Sequence, residues 1–195
     1  MKSKIIIIIM FLSLFCVCSV WSIDFEDTKK LAEQGNSNSQ YNLGYMYYNG
    51  EGIPQDYKKA RYWFTKSAEQ GNPDAQHKIG YMYHLGKGVS QDYKKALYWY
   101  KKSAKQGFSN SQYNIGYMYY NGEGIPQDYK IAYIWFSLAA AQGHKKAIYN
   151  RDMISKKLSS KQLGEAQELS SKTQYKIDNP TQKTLLKYSI KPIVR

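Results

Sequence analysis

The chain has 195 residues, with 28 lysines and arginines against 15 aspartates and glutamates, for a formal net charge of +13. Its only two cysteines, Cys16 and Cys18, lie near the N-terminus, which excludes a disulfide framework or a thiol site from everything downstream. The positive surplus favours anionic partners such as membrane surfaces, acidic glycans or acidic protein faces. Lys, Ile, Asn and Tyr are all abundant, however, a bias that an AT-rich genome produces unaided.

Taken in chain order, Met1 to Ser22 carries Lys2 and Lys4, then an apolar run from Ile5 to Val20, and compact residues before a cut after Ser22. That is the build of a secretory signal peptide, and it predicts an exported chain, periplasmic or secreted. An uncleaved membrane anchor is the competing reading, because the run approaches the length that spans a bilayer. Phe15 and Val17 stand before the cysteines where lipoprotein processing requires a small residue. Loss of Lys2 and Lys4 lowers the net charge from +13 to +11. Export also makes nucleic acid an unexpected partner.

Beyond this segment one sentence repeats at a 36-residue step. Residues 37–58 read SNSQYNLGYMYYNGEGIPQDYK, residues 109–130 differ from them only by Ile115 for Leu43, and residues 73–94 read PDAQHKIGYMYHLGKGVSQDYK. Gly44, Gly80 and Gly116 correspond, as do Trp63, Trp99 and Trp135, and Gly71, Gly107 and Gly143. A fixed period of this length marks a stacked solenoid.

Each repeat holds two amphipathic stretches. Ser39, Leu43, Met46, Tyr47 and Gly50 share one helical face, which predicts a helix A over about 37–49. Gly44 costs such a helix about 1 kcal/mol relative to Ala, a cost that close approach of a neighbouring helix would offset. Asn49-Gly50-Glu51-Gly52-Ile53-Pro54 stops the helix and turns the chain, and Asp56 caps the next one. Helix B then runs to about Gln70, burying Tyr57, Ala60, Phe64 and Ala68, with Trp63 at the edge of that face.

The ends differ from the repeats. Asp24 to Gln34 aligns with the second half of a helix B. Gly143 to Leu158 is expected as a helix A that runs on longer, because Asp152 replaces the internal glycine. Ser159 and Gln162 form a capping box, with Leu158 and Leu163 as its hydrophobic staple. A final helix is predicted over about Ser160 to Lys172, packing Leu163, Ala166 and Leu169. The organisation expected is therefore a signal peptide at 1–22, a capping helix at 23–34, repeats at 35–70, 71–106 and 107–142, a divergent capping repeat at 143–172, and a basic tail at 173–195.

The string L/I-G-Y-M-Y-x-x-G-x-G-I/V-x-Q-D-Y-K-x-A-x-x-W, followed by A-x-Q-G, resembles the Sel-one-like repeat, a relative of the tetratricopeptide repeat. The resemblance covers about residues 31–143. It implies an all-α, right-handed α/α superhelical solenoid of helix-turn-helix repeats that mediates protein–protein contacts, in bacteria often exported and concerned with the envelope or a host. One branch of the family is cysteine-rich and linked to penicillin binding or β-lactam hydrolysis. No cysteine pair sits in any repeat here, so that branch is a poor match.

Helical phase at 100° per residue places Tyr41, Tyr45 and Tyr48 together, opposite Leu43 and Met46. Their counterparts are His77, Tyr81 and His84, then Tyr113, Tyr117 and Tyr120, bordered by Asn38, Asp74 and Asn110. If helix A lines the concave wall, three rows make one aromatic ribbon suited to an extended peptide or a stacked glycan. The same rings can equally pack between adjacent A helices and fill the inner curve.

Other groups point away from chemistry. His77 and His84 lie two turns apart, about 10 Å of rise, too far for one ion, and no Cys or carboxylate pair completes a site. His144 stands alone in a turn. The Gly50-Glu51-Gly52, Gly86-Lys87-Gly88 and Gly122-Glu123-Gly124 segments follow helices rather than strands and end on aspartates, so they read as turns, not phosphate loops. Lys58, Lys59, Lys66, Lys94, Lys95, Lys101 and Lys102 coat the outer side of helix B. No Ser-x-x-Lys occurs. The sequence thus predicts no catalytic residue, metal or cofactor, and a scaffold or adaptor that binds a protein or peptide, with a secondary contact to an anionic envelope. The alternatives are an envelope enzyme or cell-wall binder of the β-lactam-related branch, and a basic surface protein that attaches to anionic glycans or lipids.

Overall fold

The fold is described here from a computed structural model for residues 25–179; the expected signal peptide at 1–22 and the chain from residue 180 lie outside the described residues. Among these residues there are nine α-helices and no strand. They are α1 (25–33), α2 (Ser37–Asn49), α3 (Tyr57–Glu69), α4 (Pro73–Leu85), α5 (Tyr93–Ala104), α6 (Ser109–Asn121), α7 (Tyr129–Ala141), α8 (Lys145–Ser155) and α9 (Ser160–Asp178). No helix of the described residues is long and apolar enough to cross a membrane. The chain is an all-α solenoid in which α2, α4, α6 and α8 are the A helices and α3, α5 and α7 the B helices.

Local chemistry sets each boundary. Asp56, Asp92 and Asp128 cap the B helices, accepting from the backbone N–H of Lys59, Lys95 and Ile131 respectively. Asn36 and Asn72 cap α2 and α4 through Ser39 N–H and Ala75 N–H. The A helices end on Gly50, Gly86 and Gly122, whose positive φ of 75°, 69° and 76° lets each N–H close back on Met46, Met82 and Met118. In the loop that follows, the Gln55, Gln91 and Gln127 side chains donate to the carbonyls of Tyr48, His84 and Tyr120. This satisfies carbonyls that the helix itself leaves open.

The mid-helix glycines meet a ring. A Cβ on Gly44, Gly80 or Gly116 would lie 2.7 Å from Phe64, 2.7 Å from Tyr100 or 2.8 Å from Phe136. Helix A and helix B of one repeat are therefore pressed together with an aromatic face against bare backbone.

Polar groups then join repeat to repeat. Gln40, Gln76 and Gln112 are buried, and each side-chain amide donates to a carbonyl at the end of the preceding B-type helix, Ala32, Ala68 or Ala104. Their side-chain oxygens accept from Gln70, Gln106 and Gln142 at the end of their own repeat's B helix. Each such bond contributes about 1 kcal/mol net, and a buried amide left without its partners would cost more.

The apolar core straddles the repeat boundaries. One cluster joins Ala60, Phe64 and Ala68 of α3 to Ala75, Ile79 and Met82 of α4. A second joins Ala96, Tyr100 and Ala104 of α5 to Ile115 and Met118 of α6, with Trp135 and Leu138 of α7. The third gathers α7, Ala147 and Ile154 of α8, and Ala166 of α9.

The C-terminal end differs from expectation in two places. Helix α8 does not run on to Leu158 but stops at Ser155, because the chain must reverse there to lay α9 along α7. Helix α9 starts in the expected capping box of Ser159 and Gln162, then continues through Asp178 rather than ending near Lys172. Leu169, Thr173 and Ile177 keep one face facing inward, and Ile177 reaches the second core cluster beside Gly107.

Gly80→Ala is expected to destabilise the fold by about 1–3 kcal/mol through overpacking against Tyr100, although Ala is the better helix former. Gly164→Ala in α9, where an added Cβ meets nothing within 4 Å, should instead stabilise by about 0.5–1 kcal/mol. Urea melts of the two variants check the pair.

Candidate functional site: the wall of A helices

The nine aromatic positions singled out by phase lie on α2, α4 and α6, and they divide into two roles. The first and third of each row flank the glycine and pack on their own repeat. The rings of Tyr41 and Tyr48 lie 5.7 and 6.3 Å from Phe64, and those of His77 and His84 lie 5.7 and 6.0 Å from Tyr100. Tyr113 is 5.5 Å from Phe136, and Tyr120 is 5.6 Å from Tyr129. The middle residues, Tyr45, Tyr81 and Tyr117, instead have as ring partner the one a turn earlier on their own helix, at 6.2, 6.4 and 6.3 Å, and Tyr45 and Tyr81 also rest against the apolar core. Tyr117 is 39 % exposed and the other two are half-buried.

The rows do not meet ring on ring across the helices, as a continuous ribbon would require. Lys78 of α4 sits over Tyr45 and Tyr48 of α2, at 5.0 and 5.5 Å from their centroids. Its pKa is lowered, by burial first. Between α4 and α6, Asn114 bonds His77 Nε2 at 3.1 Å. Polar rungs thus alternate with the aromatic rows.

The glycine-flanked loops are turns, and their middle residues also touch the preceding repeat. Lys87 lies over Tyr48 and Tyr57 at 5.2 and 5.5 Å, and a bond to Tyr48 raises its pKa. One repeat later the same pair of positions holds His84 and Glu123, joined Nε2 to Oε2 at 2.7 Å. On the other side of the ring, His84 Nδ1 lies 3.5 Å from Tyr100 Oη. Tyr therefore faces Lys, and His faces Glu. His77 and His84 are each committed to a different neighbour, and among the described residues no group of three or more His, Cys, Asp or Glu could hold a metal ion.

One groove opens on this wall, with a volume of about 450 Å³. His77 and Tyr81 of α4 form one side, Asn110, Tyr113 and Asn114 of α6 the floor, and His144, Lys145 and Lys146 the far end. His144 caps α8 by accepting from Ala147 N–H, and it stacks on Tyr113 at 4.6 Å with 16° between the rings. Burial, helped by the Lys78 charge, lowers the His77 pKa to about 4, and burial also lowers that of His144. Both rings are neutral at neutral pH.

Asn114, Lys145 and Lys146 are not singled out by the sequence pattern, and His144 reads there as a lone turn residue. His144 occupies the helix-cap position of Asn36 and Asn72, two 36-residue steps beyond Asn72, and Lys146 follows Asn38, Asp74 and Asn110 in the row that borders the tyrosines. Extending the alignment through the divergent repeat would have placed both on the wall.

Comparison with known families agrees with this architecture. The Sel1 repeat model matches residues 37–72, 73–108 and 109–144. The chain belongs to the Sel1 repeat family. Its solved structural relatives include a Sel1 repeat protein from Oxalobacter formigenes, 37% identical with a TM-score of 0.60 over 66% of this chain and 97% of that one. Another is a protective antigen with an SLR fold present in uropathogenic Escherichia coli strains, 31% identical with a TM-score of 0.62. That match covers 88% of this chain and 44% of the antigen. No curated protein matches the sequence.

The buried His77 makes stability depend on pH. Its folded pKa lies below the unfolded value of about 6.5, so between pH 6.5 and about 4 the unfolded chain binds a proton that the folded chain refuses. Stability is complete above that window and falls as the pH drops through it. In His77→Tyr, which restores the residue of the other repeats, the loss of urea midpoint between about pH 7.5 and about pH 5 should be smaller than in the parent. Equal losses would show that His77 is not the acid-sensitive group.

Proposed function

We propose that this Sel1 repeat protein is an exported scaffold that captures a protein or peptide partner along its wall of A helices. Sel1 repeat proteins generally bind protein partners, and the scaffold is typically non-catalytic. The observation that carries the placement is the groove itself. Its lining comes from three successive A-type helices, and Tyr81 lines it with its ring paired to His77 of its own helix. Tyrosine supplies broad contact with few rotatable bonds and a hydroxyl that orients a ligand.

The N-terminal segment supports export by its lysines, apolar run and compact cleavage region. The lysines of the B helices remain available for a weaker, salt-screened contact with an anionic envelope. The reading involves no cofactor or metal.

Replacing Tyr45, Tyr81 and Tyr117 by Ser changes no charge and leaves the six inward-packed aromatics in place. Partner capture, read by crosslinking from position 110 on the same groove in cells, should be lost in this variant while its circular dichroism spectrum stays helical. Capture that survives the triple change but vanishes in high salt would assign binding to the lysines instead.

A further inference from the structure

The groove is chemically lopsided, and from that we infer that it takes an extended peptide carrying acidic side chains, one of whose carboxylates seats against Lys145 and Lys146. This rests on the partner-capture reading and adds the chemistry of the partner. None of the eight residues that line the groove is acidic, and two adjacent lysines close its α8 end. Neither lysine takes part in an ion pair among the described residues. The corresponding positions are Ser37 and Asn38, Pro73 and Asp74, and Ser109 and Asn110, so the double lysine belongs to this end of the wall alone.

Three further features favour a carboxylate there. The backbone N–H groups of Lys145 and Lys146, unlike that of Ala147, which His144 caps, have no carbonyl within the helix to bond and carry partial positive charge. Asp74, the acidic member of the row that ends at Lys146, acts elsewhere, on Tyr41 and Lys78. His144 stacks flat on Tyr113, so the end of the groove has a rigid floor beneath the lysines. On the α4 side the Asn114 amide bonds His77. Tyr81 offers a surface for an apolar side chain next to the acidic one.

Charge also excludes an occupant from within the chain. Residues 180–195 contain Lys183, Lys187, Lys191 and Arg195 and no acid, so Lys145 and Lys146 would repel them.

The test uses the chain without its first 22 residues and three short fluorescein-labelled peptides, all amidated at the C-terminus. One alternates Glu with Phe, the second has Gln for every Glu, and the third has Lys. The Glu peptide should bind about tenfold more tightly than the Gln peptide, and the Lys peptide more weakly still. Lys145→Gln with Lys146→Gln should bring the Glu peptide to the level of the Gln peptide and leave the Gln peptide unchanged. Lys58→Gln with Lys94→Gln, two exposed lysines of the B helices, removes the same charge away from the groove and should change the Glu peptide less than about twofold.

Equal affinity for the Glu and Gln peptides, or equal losses in the two double variants, would overturn the inference. So would single-stranded oligothymidylate competing as well as the Glu peptide, or a Glu peptide that binds only with a free C-terminus. If both neutral and acidic peptides bind equally and both are lost in the Tyr45, Tyr81 and Tyr117 variant, capture on the wall stands and only its acidic preference falls. If no peptide binds, the acidic assignment falls, and crosslinking from position 110 still reads capture on its own.

Discussion

An aromatic ring packed against a glycine holds each repeat together. Phe64 on Gly44, Tyr100 on Gly80 and Phe136 on Gly116 bring helix A and helix B closer than any side chain at the glycine would allow. The glycine gives up about 1 kcal/mol of helix propensity, and the gain is close dispersion contact over a ring face. The pairing also explains where the pattern stops. One step beyond Gly116 and Phe136 stand Asp152 and Lys172, both exposed. Glycine and ring disappear together, and α9 covers α7 in their place.

With the helix pair fixed, the next constraint acts between repeats. A single pair cannot bury its apolar faces, because the three clusters lie between the B helix of one repeat and the A helix of the next. The buried glutamines work in the same direction, since each bonds forward to its own B helix and backward to the one before. The loop contacts add pairwise matching, with Lys87 over Tyr48 and Glu123 on His84. Stability therefore builds through neighbours, as it does in other one-dimensional arrays.

Much of this was legible in the sequence because repetition makes geometry visible as spacing. Gly44 in a helical pattern implied a close neighbour, Asp56 implied a cap, and Ser159 with Gln162 implied a capping box; each is a local signal. The buried glutamines were not read, because a Gln on an amphipathic helix looks like surface until its two partners, thirty residues after and eight before, are in view. The ends of α8 and α9 were misjudged for a related reason. Asp152 removed a reason for the helix to be interrupted, but the need to fold α9 back onto α7 set its end, and that constraint is tertiary. On the wall, phase grouped nine aromatics on the A helices but could not tell Tyr41 and Tyr48, whose rings lie against Phe64, from Tyr45, whose ring partner is Tyr41.

That division of labour locates where such a protein can vary. Positions held by the ring-on-glycine contact, the glutamine ladder or the helix caps have a structural reason to stay as they are. Tyr45, Tyr81 and Tyr117 pair their rings within their own helix, and Lys145 and Lys146 have no ion pair among the described residues. The middle repeat goes furthest, with His for Tyr at two places and Tyr100 for Phe. Yet each of its changes is answered by a partner, Asn114 for His77, Glu123 for His84 and His84 for Tyr100. Those substitutions are accounted for inside the fold. The lysine pair at the head of α8 has no such internal answer among the described residues.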